Sequence, residues 1–141
     1  STSAKIKAMY KIIGELESLG DSGESISRIL ARKNIHKKEF DAETIKKLNN
    51  MIDYVTKAYD VMIENLNAAH DNNLTDISNA YNAEERINNL RNNLRDAEIE
   101  DIENGSKNYQ TSVYYMDLVS ELERMGDFMI NVSQDLERSF K

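Results

Sequence analysis

The chain has 141 residues, a formal net charge of −7, five glycines, and no cysteine, proline or tryptophan. The missing cysteines exclude disulfides, thiolate metal sites and thiol catalysis. The acid excess argues against a general nucleic-acid binder. Long stretches of Leu, Ile, Met, Ala, Glu, Lys and Arg with little to punctuate them imply a single all-helical domain, 1–141, large enough for a real core. No run approaches the roughly 20 apolar residues of a membrane span, and no signal peptide is visible at Ser1.

The first helix is expected from about Ala4 to Asn34. Ile6, Met9, Ile13, Leu16, Gly20, Ile26, Ile29 and Leu30 recur at helical spacing and mark the side expected to be buried. Glu17 and Asp21 fall on its flank. The segment Arg28–Lys38 gathers positive charge. It reads as cations at a helix C-terminus or as a patch for anionic lipid or an acidic partner, with His36 exposed.

Asp41 is the expected N-cap of a second helix, Ala42–His70. Its stripe is Ile45, Leu48, Ile52, Val55, Tyr59, Met62, Leu66 and Ala69, and its length is about 43 Å. His70 reads as a capping cation rather than a ligand. A polar turn leads to a third helix, Leu74–Glu103, capped by Asn73 or Thr75. Its stripe runs Leu74, Ile77, Ala80, Tyr81, Ile87, Leu90, Leu94, Ala97 and Ile102. Asn88, Asn89, Asn92 and Asn93 form a polar surface. These asparagines are poor helix formers, so tertiary packing must hold the helix.

Gly105 is expected in the left-handed conformation that ends the third helix. The fourth helix, Lys107–Phe140, has the seam Val113, Met116, Val119, Leu122, Met125, Gly126, Met129, Val132 and Leu136. Tyr109, Tyr114 and Tyr115 read as core and rim packing. Short connections make sequential helices antiparallel neighbours. The expected architecture is an elongated, antiparallel up-and-down four-helix bundle.

The stretch that organises the chain is Glu121-Leu122-Glu123-Arg124-Met125-Gly126-Asp127. It recurs as Glu15-Leu16-Glu17-Ser18-Leu19-Gly20-Asp21, 106 positions earlier. Over the thirteen positions from Glu15 to Ser27 and from Glu121 to Ser133, six are identical. Such a repeat suggests duplicated supersecondary units. In each copy a Glu and an Asp four residues apart share one helical face. They repel unless a cation lies over them. The glycine between them costs about 1 kcal/mol relative to alanine, so it serves close packing or backbone access. Glu123 and Asp127, with Asn131 one turn further on, are candidate oxygen ligands for a hard cation. Glu17 and Asp21 are the second candidate pair, with Ser25 in place of Asn131. The alternative is a solvated acidic face.

Glu-Leu-Glu-Arg-Met-Gly-Asp followed by Asn131 resembles the PhoU family, whose repeats carry a Leu-Glu-Arg-Ile-Gly-Asp-x-x-x-Asn motif on their third helix. By that resemblance, 4–34 is the third helix of a truncated first repeat, and 41–141 is a complete second repeat. The resemblance is strongest at 121–131, weaker at 15–26, and only positional in the two middle helices. It departs from the family pattern at Ser18, Ser25 and Asn88, where Arg, Asn and an acidic residue are usual.

The resemblance implies a cytoplasmic, bacterial regulator of phosphate transport, not an enzyme. Attachment to a sodium/phosphate cotransporter would place it at the inner face of the plasma membrane, with membrane contact only through the transporter. Partners implied are a phosphate transporter, in the same chain or separate, and no nucleic acid. A homodimer is left open. A divalent or iron cation at the Glu-x-x-x-Asp motifs is the implied cofactor, and the sites can also stay empty. The competing reading is a helical scaffold or dimerisation module with neither metal nor ligand. A carboxylate di-metal oxidase is rejected, because its Glu-x-x-His pairs are missing.

Overall fold

A computed structural model describes residues 1–140. They form four helices: α1 (Thr2–Ile35), α2 (Ala42–His70), α3 (Ser78–Glu103) and α4 (Tyr109–Phe140). The expected limits of α2 are met at both ends. Asp41 caps it as expected, its side chain accepting from the Thr44 backbone N–H at 2.8 Å. Gly105 has φ +79° after α3, as expected.

α3 begins four residues later than expected. Asp76 accepts from both the backbone and the hydroxyl of Ser78, at 3.0 and 2.6 Å. This local arrangement competes with helix and leaves residues 73–77 extended or irregular. Leu74 and Ile77 are buried nonetheless, so the segment is anchored by its apolar side chains.

The helices alternate in direction, and α4 is their hub. α3 runs antiparallel to it, shown by Ser112 against Glu98 near one end and Gln134 against Tyr81 near the other. α2 runs parallel to it, with Lys107 on Asp41 and Ser133 on Asn65. α1 runs antiparallel to it, with Lys11 3.6 Å from Asp135 and His36 stacked near Tyr114. Among the described residues, α1 packs on α4 and on neither α2 nor α3. The all-α, up-and-down bundle is therefore a three-helix unit, α2–α4, with α1 laid along the outer side of α4.

Met51, Val55, Ala58, Met62, Ile77, Ala80, Ile87, Tyr115, Val119, Leu122, Met129 and Val132 build the core between α2, α3 and α4. One polar connection crosses it. Asn65 donates to Ser133 at 3.0 Å and exchanges amide hydrogen bonds with Asn79. Such a network costs little when satisfied, and a slip of any of the three helices would break it.

Two apolar stripes differ from expectation. On α1 the buried face is Ala8, Ile12, Ser22 and Ile29, with Leu19 and Ile26 packed against the core. Ile6, Met9, Ile13, Leu16, Gly20 and Leu30, expected inside, are exposed. α1 carries apolar residues on two faces, and only one of them meets α4. On α2, Ile45, Ile52 and Tyr59 are likewise exposed, while Thr44, Met51, Ala58 and Asn65 are buried. The covered face is rotated from the predicted stripe toward α3 and α4. On α3 and α4, Tyr81 and Val113 are the exposed members of their stripes.

The two copies of the repeat meet where α1 crosses α4. Asn131 donates to Glu15 at 3.3 Å. Ser25 and Glu121 line one shared groove on the other side of the crossing. Ser25 is the repeat counterpart of Asn131, and Glu121 that of Glu15. The duplicated segments thus pack antiparallel around a local two-fold.

Candidate functional site

In the second motif the helical face carrying Glu123 and Asp127 lies against α3. Gly126 makes this approach close. A Cβ added there would sit 2.8 Å from Ile87 Cδ1, so this glycine is where α3 presses on α4. The contact brings Arg91 to Glu123, with Nε 3.0 Å from Oε2. The approach is oblique, so Arg91 Nε makes no aligned hydrogen bond. It is an ion pair rather than a directed bond, and both side chains are largely shielded.

Asp127 is more exposed at residue level, yet its carboxyl still titrates above the usual range. Partial burial of the group raises it, against the opposing charges of Arg91 and Arg124. Glu84, on α3, belongs to the same cluster and was absent from the sequence reading. Its carboxyl is raised by burial first, then by repulsion from Asp127 and Glu123. The site is thus three crowded carboxylates, Glu84, Glu123 and Asp127, with Arg91 among them. On α3, Glu84, Asn88 and Arg91 fall on one helical face beside Ile87, but the sequence alone does not set that face against α4.

Asn131, the third predicted ligand, points elsewhere. Its amide nitrogen donates to Glu15 across the α1–α4 crossing. The donor set therefore does not fit a hard cation in this arrangement: Arg91 supplies the positive charge and Asn131 is turned to α1. Among the described residues, no group of three or more His, Asp or Glu side chains is placed to hold a metal ion.

In the first motif, Glu17 and Asp21 are exposed and form no salt bridge among the described residues. Gly20 has nothing within 4 Å of where a Cβ would stand. The structure does not bring Glu17 and Asp21 together with Glu123 and Asp127 into one site. The asparagine row behaves as expected: Asn89, Asn92 and Asn93 are exposed and Asn88 is half-buried. His36 is exposed, with its ring 6.4 Å from that of Tyr114.

The PhoU domain matches residues 48–136, from the first third of α2 to the last turns of α4. The chain belongs to the PhoU domain family. The match covers well over half of the chain and includes the whole of the second motif with Glu84 and Arg91. Neither a curated protein nor a solved structure matches the chain. PhoU membership ties the chain to phosphate-related regulation, the work of a regulatory or scaffold domain. Among the described residues, no helix is long and apolar enough to cross a membrane.

Proposed function

We propose that this PhoU domain is a cytoplasmic, non-enzymatic regulator of phosphate uptake that docks on a phosphate transporter. The transporter is either a separate protein or part of the same polypeptide, as in sodium/phosphate cotransporters. The observation that carries this reading is the family match across α2–α4. On the same reading α1 is the last helix of a first repeat and α2–α4 a complete second one. The local two-fold relating Glu15–Asn131 to Ser25–Glu121 supports that assignment. The test is co-purification from detergent-solubilised membranes with the intact bundle as bait. Recovery of an identified phosphate transporter is the expected result. Its absence from every eluate would leave a scaffold or dimerisation module instead.

A second reading adds a cation to this role, because Glu84 is repelled by Asp127 and Glu123, and Arg91 is paired with Glu123. Glu123 and Asp127 would hold a divalent or iron cation once Arg91 swings away. Metal content by mass spectrometry decides it, beside an Arg91→Gln variant and a Glu123→Ala/Asp127→Ala variant. Cation-tuned regulation predicts more metal in Arg91→Gln and none in the double variant. Absence of metal from all three samples after iron or manganese loading sinks it.

A further inference from the structure

At the end of the bundle where α2 and α4 begin and α3 ends, a polar recess of about 200 Å³ is lined by Glu98, Tyr115, Phe40, Thr44, Asp41 and Lys107, among others. Glu98 is 2% exposed, and its one hydrogen bond is from the neutral Ser112 hydroxyl, 2.6 Å from Oε2. Among the described residues, Glu98 Oε1 and the Tyr115 hydroxyl have no hydrogen-bond partner, and both atoms are shut off from solvent. A buried carboxylate oxygen without a donor is among the costlier arrangements in a protein. Among the described residues Lys107 is the one cation lining the recess; it feels the charge of Glu98 but makes no hydrogen bond to it. Its ammonium lies 2.8 Å from Asp41 and 3.3 Å from Thr44.

We propose that this recess binds a primary alkylammonium ion, with Glu98 Oε1 and the Tyr115 hydroxyl oxygen accepting from its N–H groups. The inference is independent of the regulatory reading above. Three considerations select this ligand. The unsatisfied atoms need hydrogen-bond donors, and an ammonium group supplies three of them. A metal ion is a poor candidate, because no group of three or more acidic or His side chains is assembled among the described residues. The recess has room for a short carbon chain beside Phe40, and this ring already attracts one ammonium, the Lys33 Nζ at 5.0 Å from its centroid. The two acceptor atoms lie behind the recess wall, so the ligand enters by displacing part of it.

The experiment is isothermal titration of the full chain with putrescine, methylammonium, potassium and magnesium at physiological salt, which suppresses diffuse attraction to an acidic surface. Saturable binding of putrescine, weaker binding of methylammonium and none of magnesium are expected. Glu98→Gln, checked for folding by circular dichroism, should abolish binding, and Tyr115→Phe should weaken it about tenfold, the loss of one hydrogen bond. If Glu98→Gln fails to fold, Tyr115→Phe alone decides, and unchanged affinity overturns the proposal. It is overturned equally by no saturable amine binding, by binding that survives Glu98→Gln, or by potassium binding as well as putrescine.

Discussion

α1 and α4 carry the same motif in opposite surroundings. Leu122 is 7% exposed and its counterpart Leu16 is 41% exposed. Val119 and Tyr115 are buried, whereas Ile13 and Met9 in the matching positions are half uncovered. Gly126 is pressed against Ile87, and Gly20 faces open space. Glu123 has Arg91, while Glu17 has no salt-bridge partner among the described residues. The motif specifies a helix face suited to close approach by a second helix. Whether that face is buried depends on which helices the tertiary structure supplies. On α4 they are α2 and α3, and on α1 no helix among the described residues fills the equivalent place.

The largest break in this comparison comes from the paired leucines. Leu122→Ala should cost about 2–5 kcal/mol by removing buried volume, and Leu16→Ala should stay within about 0.5 kcal/mol. Urea denaturation of both variants measures this, and equal losses would mean that Leu16 is covered in solution. The glycines follow. Gly126→Leu overpacks against Ile87 and should cost about 1–3 kcal/mol. Gly20→Ala should gain about 0.5–1 kcal/mol of helix propensity. Thermal melts of the two variants should therefore shift in opposite directions.

The acidic pairs give smaller differences. Glu123→Gln leaves the largely shielded Arg91 without its counter-ion and should cost about 1 kcal/mol, whereas Glu17→Gln should leave the melting temperature unchanged.

The smallest effect is in pH dependence, where two regions have opposite signs. The hydrogen bond from Lys107 holds the Asp41 carboxyl well below its usual range, helped by those from Thr44. Its contribution is complete above the unfolded value near 4 and is lost as pH falls. Glu84 is raised by burial and by its acidic neighbours. The folded state holds its proton more readily than the unfolded chain does, so the ionised Glu84 destabilises at neutral pH and that cost fades on acidification. Glu84→Gln should raise the melting temperature at pH 7 and lose that advantage near pH 4, while Asp41→Asn should narrow the gap between pH 7 and pH 3. Melting curves across this range check both signs.

Helix number, order and most boundaries were legible because each helix has an apolar period and two of the turns carry readable residues, the cap Asp41 and the left-handed Gly105. The side of α1 that is buried was not legible. Periodicity shows which residues share a face, and α1 has two apolar faces. Its position on α4, through Ala8, Ile12 and Ile29, follows from tertiary contact alone. The start of α3 was misplaced because the Asp76–Ser78 bonds compete locally with the helical pattern. At the candidate site, Glu123 and Asp127 could be found from the repeat. Arg91 and Glu84 could not, since their relevance depends on the Gly126–Ile87 contact that sets α3 against α4. Asn131 was placed on the right row of α4, but the α1 crossing claimed its amide.

The one-sided seating of α1 also has a kinetic consequence. A helix held by a single neighbour can open while the α2–α4 core stays closed. Backbone amides of α1 should then exchange with solvent deuterium as one cooperative block, faster than those around Met51, Ile87 and Val132. The molecule would have two opening free energies, with α4 as the boundary between them.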